Sequence, residues 1–541
     1  MAGVLVRYTI LAVPIEIDVD KSPRHSQSRD YVFLAAIATV ISVSALVFYY
    51  RQGAILLYGD AVAHINIARR VFDSRTPGFF QLGTVWLPLP HVLDIPFIVN
   101  DKLWRTGIGA SIPSMLAYLA GTLGIFRLVL SAATRISAWL AALIFALNPN
   151  LVYMQSTAMT EPLYLALMIW ALVYFAEFVR FAPADGNGAR KALEKCALCV
   201  GADMMVRYDG WFLAAILGLS AICFVTVKKI GAQAVRRGLI EFVLLCLSMG
   251  GLWLAYNQAN YGNPLEWANG PYSAKAIQER SRTASYPSYP GENSPRTAAL
   301  YFLKVSRLNV AEGRSEMFLF ALCFLSLLTT LVFARRSWPL ALLWAPAIFY
   351  IVCVAWGSVP IYFPQWYPFG HYNVRYGLQM LPAIAAFAGL FSYFSDSIFP
   401  RRVGMILITV VAGWSYASIW QGTPITLREA QVNGSARLAF DQKLGEELAK
   451  LPQSARLMMD CGAHSGAVQA AGIPFSRVLR ESNPPLWDVA LSRPAESADY
   501  LIAFPSDDVY RAVRLFPARI KLVTTVATAD GARAFIYQSQ R

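Results

Sequence analysis

Asp60 and His64 are the residues of this chain whose types and spacing most directly suggest chemistry. They lie in Tyr58-Gly-Asp-Ala-Val-Ala-His64, a few residues after the apolar segment 31–50. A separation of four residues puts both side chains on one face of a helix, and an aspartate can accept a proton from a hydroxyl or an amine. Two other interpretations stay open: an acid that complements a helix N-terminus, and an Asp–His pair that binds a metal.

Charged residues at the starts of three other apolar segments are candidates for acting on a sugar or a phosphate. Glu161 precedes Pro162 and an apolar run, and an acid this close to a bilayer usually faces a cavity or the protein interior. Arg207 and Arg375 precede later apolar runs, and a guanidinium can hold two phosphate oxygens. Alternatively, Glu161 stabilises a helix N-terminus. The corresponding alternatives for the arginines are an ion pair between Arg207 and Asp209, and contact of Arg375 with lipid phosphates.

The composition is that of a chain that crosses a membrane repeatedly. Of its 541 residues, 56% are hydrophobic and only 15% are charged, and the mean hydropathy is +0.44. Soluble domains carry about 25% charged residues, and repeated membrane spans explain the deficit here because charges are costly in hydrocarbon. Much of the net charge of +14 lies in short basic clusters between apolar runs, which favours anchoring at one membrane face over nucleic-acid binding.

Eleven apolar segments are predicted to span the membrane, since a spanning helix needs about 20 mostly apolar residues. They lie near residues 31–50, 108–130, 135–148, 160–179, 194–207, 211–227, 238–256, 316–333, 338–356, 375–394 and 403–420. Basic clusters fall on alternate connections, so the positive-inside rule places the N-terminal segment 1–30 in the cytoplasm. The loops 51–107, 257–315 and 357–374 and the tail 421–541 then lie on the outer side.

The predicted outer segments differ in kind from the inner ones. The loops are rich in aromatic residues and prolines, which suit either the membrane interface or the apolar face of a sugar. The first loop holds a predicted helix from Gly59 to Asp73, whose apolar residues Val62, Ile65 and Phe72 would let it lie along the membrane surface. In the tail, residues 428–450 are predicted to be helical, and short strands are predicted at 456–460, 499–504, 520–526 and 534–537.

An ordered set of motifs resembles the GT-C superfamily, whose members are multi-spanning glycosyltransferases that use polyprenyl-phosphate sugars. The motifs are Asp60-Ala-Val-Ala-His64, Trp86-Leu-Pro-Leu-Pro-His91, Thr160-Glu-Pro-Leu163, Arg207-Tyr-Asp-Gly-Trp211, Tyr261-Gly-Asn-Pro-Leu-Glu266 and Arg375-Tyr-Gly-Leu378. The likeness covers about residues 30–420. It is greatest to bacterial proteins of the protein O-mannosyltransferase and aminoarabinose transferase type, grouped as glycosyltransferase family 39.

The resemblance implies a role for each of these residues. Asp60 would be the catalytic acid or base, and Glu161 would be a second acid near the donor or a metal. Because Asp60 lies between Gly59 and Ala61 and not beside another acid, a divalent metal is only a candidate cofactor. Its candidate ligands are Asp60, Glu161 and His64. The candidate donor-phosphate ligands are Arg375, Arg207, His371 and Lys275, with Lys304 as a further cation, and the candidate substrate-loop residues are His64, Trp86, His91 and Tyr272.

These observations predict an α-helical polytopic membrane protein, GT-C-like over residues 31–420, with a small extracytoplasmic α/β domain at 421–541. We expect an inverting glycosyltransferase of a bacterial cytoplasmic membrane, in contact with membrane lipids and not with nucleic acid. It would move a hexose or pentose from a polyprenyl-phosphate donor to a hydroxyl or amine on a protein, glycan or lipid. The alternative is a transporter or flippase, which would need ionisable groups near the bilayer midplane and usually internal repeats.

Overall fold

The computed structural model describes residues 24–283, 288–313, 315–394 and 400–540. Most of the predicted cytoplasmic segment 1–30 lies outside the described residues, as do residues 284–287 and 314 of the predicted loop 257–315. In chain order the helices are α1 (Arg24–Arg51), α2 (Gly59–Arg70), α3 (Leu89–Ile98), α4 (Asp101–Thr106), α5 (Ile108–Leu130), α6 (Arg135–Ala146), α7 (Pro149–Met154), α8 (Glu161–Phe181), α9 (Gly186–Met204), α10 (Asp209–Val227), α11 (Gln233–Tyr261), α12 (Glu266–Asn269), α13 (Ala274–Ser281), α14 (Pro295–Leu308), α15 (Ser315–Phe333), α16 (Ala345–Trp356), α17 (Leu381–Phe394), α18 (Arg401–Gly422), α19 (Ile425–Leu448), α20 (Ser465–Ala471), α21 (Leu486–Ser492), α22 (Pro494–Ser497) and α23 (Asp508–Leu515).

The bundle is built from helices with apolar outer surfaces. Within the described residues, nine helical segments are long and apolar enough to cross a membrane. Large apolar side chains remain exposed on their outer faces, such as Phe33 on α1, Leu247 on α11 and Trp414 on α18. In water such exposure would be unfavourable, but it suits hydrocarbon. The chain is therefore an integral membrane protein with a mostly helical fold.

Two of the eleven predicted spans, near 135–148 and 194–207, correspond to α6 and α9 and are not among these nine. The helix α6 has 12 residues, which at 1.5 Å per residue is about 18 Å, short of the roughly 30 Å hydrocarbon core. Together, however, α6 and α7 cover about the same length as α1. Arg135 at its start pairs with Asp30 near the start of α1, and the Tyr153 hydroxyl of α7 donates to Ala54 O, just beyond the end of α1.

The helix α9 runs between the same two ends of the bundle. Near its start Arg190 pairs with Glu241 in the first third of α11. Just after its end, Arg207 contacts Glu161 at the start of α8. Both α6 and α9 therefore connect the same two ends of the bundle as the nine longer segments do.

The tail forms a small α/β domain on one end of the bundle. The strands are β1 (Leu457–Met459), β2 (Val478–Leu479), β3 (Tyr500–Ala503), β4 (Ile520–Ala527) and β5 (Arg533–Ser539), in the order β2-β1-β3-β5-β4. The first three run parallel, and β5 pairs antiparallel with β3 and β4. The four predicted strands are confirmed. The strand β2 was not predicted, because two residues cannot show the alternation that marks a strand.

The helix α2 does not lie along a membrane surface, and this corrects the expectation from its apolar stripe. Val62 and Ile65 are buried, and Phe72 lies beyond the end of the helix. The Asn66 side chain donates to Gln469 Oε1 of α20 at 3.0 Å. Val62 and Ile65 are thus covered by protein where the tail folds back over the first loop, whereas Phe72 is exposed.

The contact of α19 with the first loop depends on a glycine. A Cβ added at Gly434 would overlap the main-chain oxygen of Leu57, whereas one at Gly413 in α18 would meet nothing within 4 Å. We expect Gly434→Ala to lower stability by at least about 1–3 kcal/mol through overpacking. Gly413→Ala, the matched control, should be neutral or slightly stabilising. Thermal unfolding of both variants in detergent measures the difference, and equal Tm values would contradict this packing.

Candidate active site

Arg375 is the centre of a cluster of charges at one end of the bundle. It lies in the 3₁₀ turn Val374–Met380 that leads into α17, and its side chain is 11% exposed. Its Nη2 is 2.6 Å from Asp60 Oδ2, its Nε is 3.2 Å from Glu161 Oε1, and its Nη1 is 3.7 Å from Glu429 Oε1. One guanidinium thus contacts acids of the first loop, of α8 and of the tail.

Arg207 is the second cation of the cluster, and it shares Glu161 with Arg375. Its Nη1 donates to Glu161 Oε1 at 3.2 Å, its Nε lies 3.3 Å from Asp209 Oδ1, and its Nη2 donates to the Tyr350 hydroxyl at 2.9 Å. The Tyr350 hydroxyl in turn donates to Asp209 Oδ2 at 2.8 Å. Buried charges are tolerated only when they are paired and hydrogen-bonded, and here two guanidinium groups face four carboxyl groups.

The geometry bears on the interpretations that the sequence left open for the two arginines. The Arg207–Asp209 ion pair is present, but Arg207 also bonds Glu161. Arg375 does not extend to lipid phosphates, because three carboxyl groups surround it. The structure therefore brings Asp60, Glu161, Arg207 and Arg375 together.

Glu429 belongs to the same cluster and was not among the predicted residues. It is 1% exposed, accepts a hydrogen bond of 2.8 Å from the Tyr58 hydroxyl, and accepts the Val374 N–H at 3.2 Å. Its sequence neighbours are Arg428, Ala430 and Gln431, a composition typical of an exposed helix. No local pattern therefore indicated that this acid is buried.

Asp60 is the accessible acid of the cluster. Its side chain is 37% exposed, whereas those of Glu161, Asp209 and Glu429 are 0%, 2% and 1% exposed. A group that exchanges a proton with a substrate must be reachable by that substrate. Asp60 can do so, whereas the buried acids can only hold the guanidinium groups in place.

A pair of histidines lies beside Asp60, one helical turn along α2. His64 Nδ1 is 2.8 Å from His91 Nε2, and the ring of Trp86 lies 4.9 Å from that of His64. Burial lowers the pKa of His64 to about 4, against the opposing effect of Asp60. His64 and His91 are therefore neutral near pH 7, and the N–H of one ring donates a hydrogen bond to the facing nitrogen of the other.

The other predicted residues lie outside the cluster. Lys275 and Tyr272 are exposed on or before α13, and Lys304 pairs with Glu316. The main-chain oxygen of His371 accepts a hydrogen bond from the Asn433 side chain. Burial, and then the positive charge of Arg428, lower the pKa of the His371 imidazole. The structure does not bring these four residues to Arg375, and their predicted roles stay predictions.

The donor set of the cluster does not fit a divalent metal. No group of three or more His, Cys, Asp or Glu side chains among the described residues is arranged to hold one. Glu161 is bridged by two guanidinium groups, and Asp60 is paired with one of them. A cation placed between Asp60 and Glu161 would face Arg375 directly, and like charges at such range repel. No chemical step is therefore assigned to a metal.

Removing the shared acid should destabilise the protein strongly. We expect Glu161→Ala to cost about 3–5 kcal/mol, because it leaves Arg207 and Arg375 without their common carboxylate. The matched control is Glu177→Ala, which breaks the partly exposed pair with Arg127 and should cost less than about 1 kcal/mol. Unfolding of both variants in detergent gives the comparison. Equal losses would contradict the central position of Glu161.

The buried histidine pair should make stability depend on pH. In the unfolded chain His64 binds a proton near its usual pKa of about 6.5, but in the folded protein its pKa is about 4. The unfolded state binds more protons between these values, so stability falls as the pH drops through that range. Between about pH 7 and about pH 4, the free energy of unfolding of His64→Gln should fall by up to about 3 kcal/mol less than that of the wild type. Tm values measured from about pH 7 to about pH 4 test it, and an unchanged slope would refute it.

The architecture is similar to that of known membrane glycosyltransferases. The structure of ArnT, an aminoarabinose transferase, from Cupriavidus metallidurans bound to undecaprenyl phosphate matches with a TM-score of 0.57 and 14% identity, over 94% of this chain and 97% of that one. The apo state of the same protein matches with a TM-score of 0.56 and 14% identity, over 95% and 98%. An Archaeoglobus fulgidus oligosaccharyltransferase matches with a TM-score of 0.49 and 12% identity, over 93% and 72%.

No protein-family model and no curated protein matches the sequence. At 14% identity the likeness to ArnT concerns the fold. That likeness extends over nearly the whole of both chains, so it includes the tail as well as the bundle. The chain therefore has the fold seen in the two ArnT structures.

Proposed function

We propose that this protein is an inverting glycosyltransferase that moves a sugar from a polyprenyl-phosphate donor to a hydroxyl or amine. The observation that carries the proposal is the ion pair between Asp60, the accessible acid, and Arg375, a cation suited to phosphate. The ArnT structure with this fold is bound to undecaprenyl phosphate, which supports a donor of that chemical class.

The donor phosphate binds by exchanging with Asp60 on Arg375. Of the three acids around Arg375, Asp60 is the exposed one, so it is displaced most readily. Glu161 and Glu429 stay in place and keep the guanidinium oriented. The displaced Asp60 loses its counter-ion just as the donor arrives, which makes its carboxylate a better proton acceptor.

The transfer then proceeds as a single displacement. Asp60 accepts the proton of the acceptor hydroxyl or amine, whose oxygen or nitrogen attacks the anomeric carbon. The bond from that carbon to the phosphate oxygen breaks, and polyprenyl phosphate leaves with the bonding electrons. Arg375 stabilises the charge that develops on the leaving oxygen, and Arg207, which shares Glu161 with it, adds positive charge. The surplus of carboxyl groups in the cluster also favours the positive charge that develops on the sugar ring.

The reaction takes place at the outer face of the membrane. The first loop, Glu161, Arg207, Arg375 and the tail all lie at one end of the bundle, whereas basic clusters mark the connections at the other end. The positive-inside rule assigns that other end, with the N-terminus, to the cytoplasm. We place the protein in a bacterial cytoplasmic membrane, with the lipid tail of the donor between helices and the sugar beside the partly exposed Trp86, whose ring the buried His64 supports from behind.

Asp60→Asn tests the reaction. With a labelled polyprenyl-phosphate sugar we expect transfer or slow hydrolysis by the wild type, and a loss of about 100- to 10,000-fold in the variant because the proton acceptor is gone. The matched control is Asp101→Asn in the same loop, since Asp101 is 73% exposed and pairs only with Arg69 in α2 among the described residues. It should keep wild-type activity.

Two outcomes would refute the proposal. Equal activity of Asp60→Asn and the wild type would remove Asp60 from the mechanism. Solute flux without sugar transfer would identify the protein as a transporter or flippase. Donor binding by folded Asp60→Asn separates loss of chemistry from loss of structure.

A further inference from the structure

The accessible strip of α2 continues beyond Asp60. From Asp60 to the end of the helix, only Asp60, Ala63 and Arg70 are partly exposed. Their spacing of three and then seven residues places them on one face. At 1.5 Å per residue, Arg70 lies about 15 Å along the helix from Asp60. An extended substrate that contacts Asp60 can therefore reach Arg70 along the same face.

Arg70 meets a second arginine, Arg480, which follows β2 in the tail. Arg70 Nη2 donates to Gln81 O at 3.0 Å, and Arg480 Nη2 donates to Gln81 Oε1 at 2.9 Å. Gln81 Nε2 donates to Ser482 O at 3.0 Å. Gln81 thus holds two guanidinium groups and the loop after β2 together, where the first loop contacts the tail.

Four hydrogen-bond donors in this cluster have no partner among the residues that the structure describes. They are Arg70 Nε, Arg480 Nε, Arg480 Nη1 and the Ser482 hydroxyl, all of them buried atoms. Arg480 is 0% exposed as a whole, whereas Arg70 is half-buried and reachable from the strip. Buried donors are normally satisfied, and leaving a charged one without a partner is costly.

The charges of the cluster favour an anion. Burial and then the like charge of Arg480 lower the pKa of Arg70, while the carboxylate of Glu481 opposes this. Glu481 also accepts the Cys461 N–H at 2.9 Å. Two guanidinium groups therefore face one carboxylate here, whereas the cluster around Arg375 has four carboxyl groups for two guanidinium groups.

We propose that Arg70, Arg480 and Ser482 bind an oxyanion, a phosphate or carboxylate group of the acceptor. This rests on the proposed function for the identity of the ligand, but not for the binding of an oxyanion. We assign the phosphate of the donor to Arg375 and not to this site. That phosphate is bonded to the anomeric carbon, which lies next to Asp60, whereas Arg70 is about 15 Å further along the helix axis.

Binding of inorganic phosphate to the full chain in detergent tests the site without any glycosyl transfer. At constant ionic strength, phosphate should raise the Tm of the wild type relative to chloride. We expect Arg70→Gln to weaken the apparent phosphate affinity about tenfold. Arg514→Gln, which changes an exposed arginine of the same domain, is the matched control and should bind as the wild type does.

A second variant guards against a folding defect. Arg480→Lys keeps the charge but loses the planar pair of donors, so it should weaken phosphate binding while retaining the Tm in chloride. Phosphate affinity that is unchanged in Arg70→Gln and in Arg480→Lys would overturn the proposal, even if the wild type transfers sugar. Binding that is lost in Arg375→Lys and kept in Arg70→Gln would also overturn it.

Kinetics identify which substrate carries the oxyanion. If the acceptor carries it, Arg70→Gln should raise the KM for an anionic acceptor about tenfold and leave donor hydrolysis unchanged. An equal increase in the KM for donor hydrolysis would assign the oxyanion to the donor sugar and refute the acceptor assignment. If the wild type neither transfers nor hydrolyses the donor, the proposed function is wrong. The binding of phosphate at Arg70 is still tested separately by the Tm measurements with inorganic phosphate.

Discussion

The carboxylate of Glu161 lies between two guanidinium groups, and the arrangement of the bundle depends on this contact. It joins the start of α8 to Arg207, which precedes α10, and to Arg375, which precedes α17. A charge removed from water must keep its partner, so breaking either pair would leave a buried ion uncompensated. Three connections of the chain are therefore held at the same end of the bundle.

This constraint explains why α6, α7 and α9, although short, return the chain to the end of the bundle where Glu161 lies. Asp60 follows α1 directly, and Arg375 holds it beside Glu161. For α8 to start at that end, the chain must return through α6 and α7 after α5 has gone to the other end. The same reasoning applies to α9, which brings Arg207 back. Length and hydropathy alone would leave both helices out of the count of candidate spans.

The tail completes the charge cluster around Arg375 and also covers that end of the bundle. Glu429 reaches Arg375 from α19, and α20 packs against α2 at Asn66, on a face that adjoins the accessible strip. Arg480 meets Arg70 across the contact between the tail and the first loop. A single helix, α2, thus carries Asp60 and is held by the tail at Asn66 and near Arg70.

The sequence by itself determined the class of the fold, the apolar segments and four of the five strands, and it selected Asp60, Glu161, Arg207 and Arg375, which the structure brings together. These follow from local properties: runs of apolar residues, alternation in strands, and charges at the ends of helices. Only the tertiary structure decided that Glu429 is buried, that α2 is covered by the tail, and that Arg70 meets Arg480. Each of these depends on contacts between residues hundreds of positions apart, and such contacts leave no periodic pattern in one sequence.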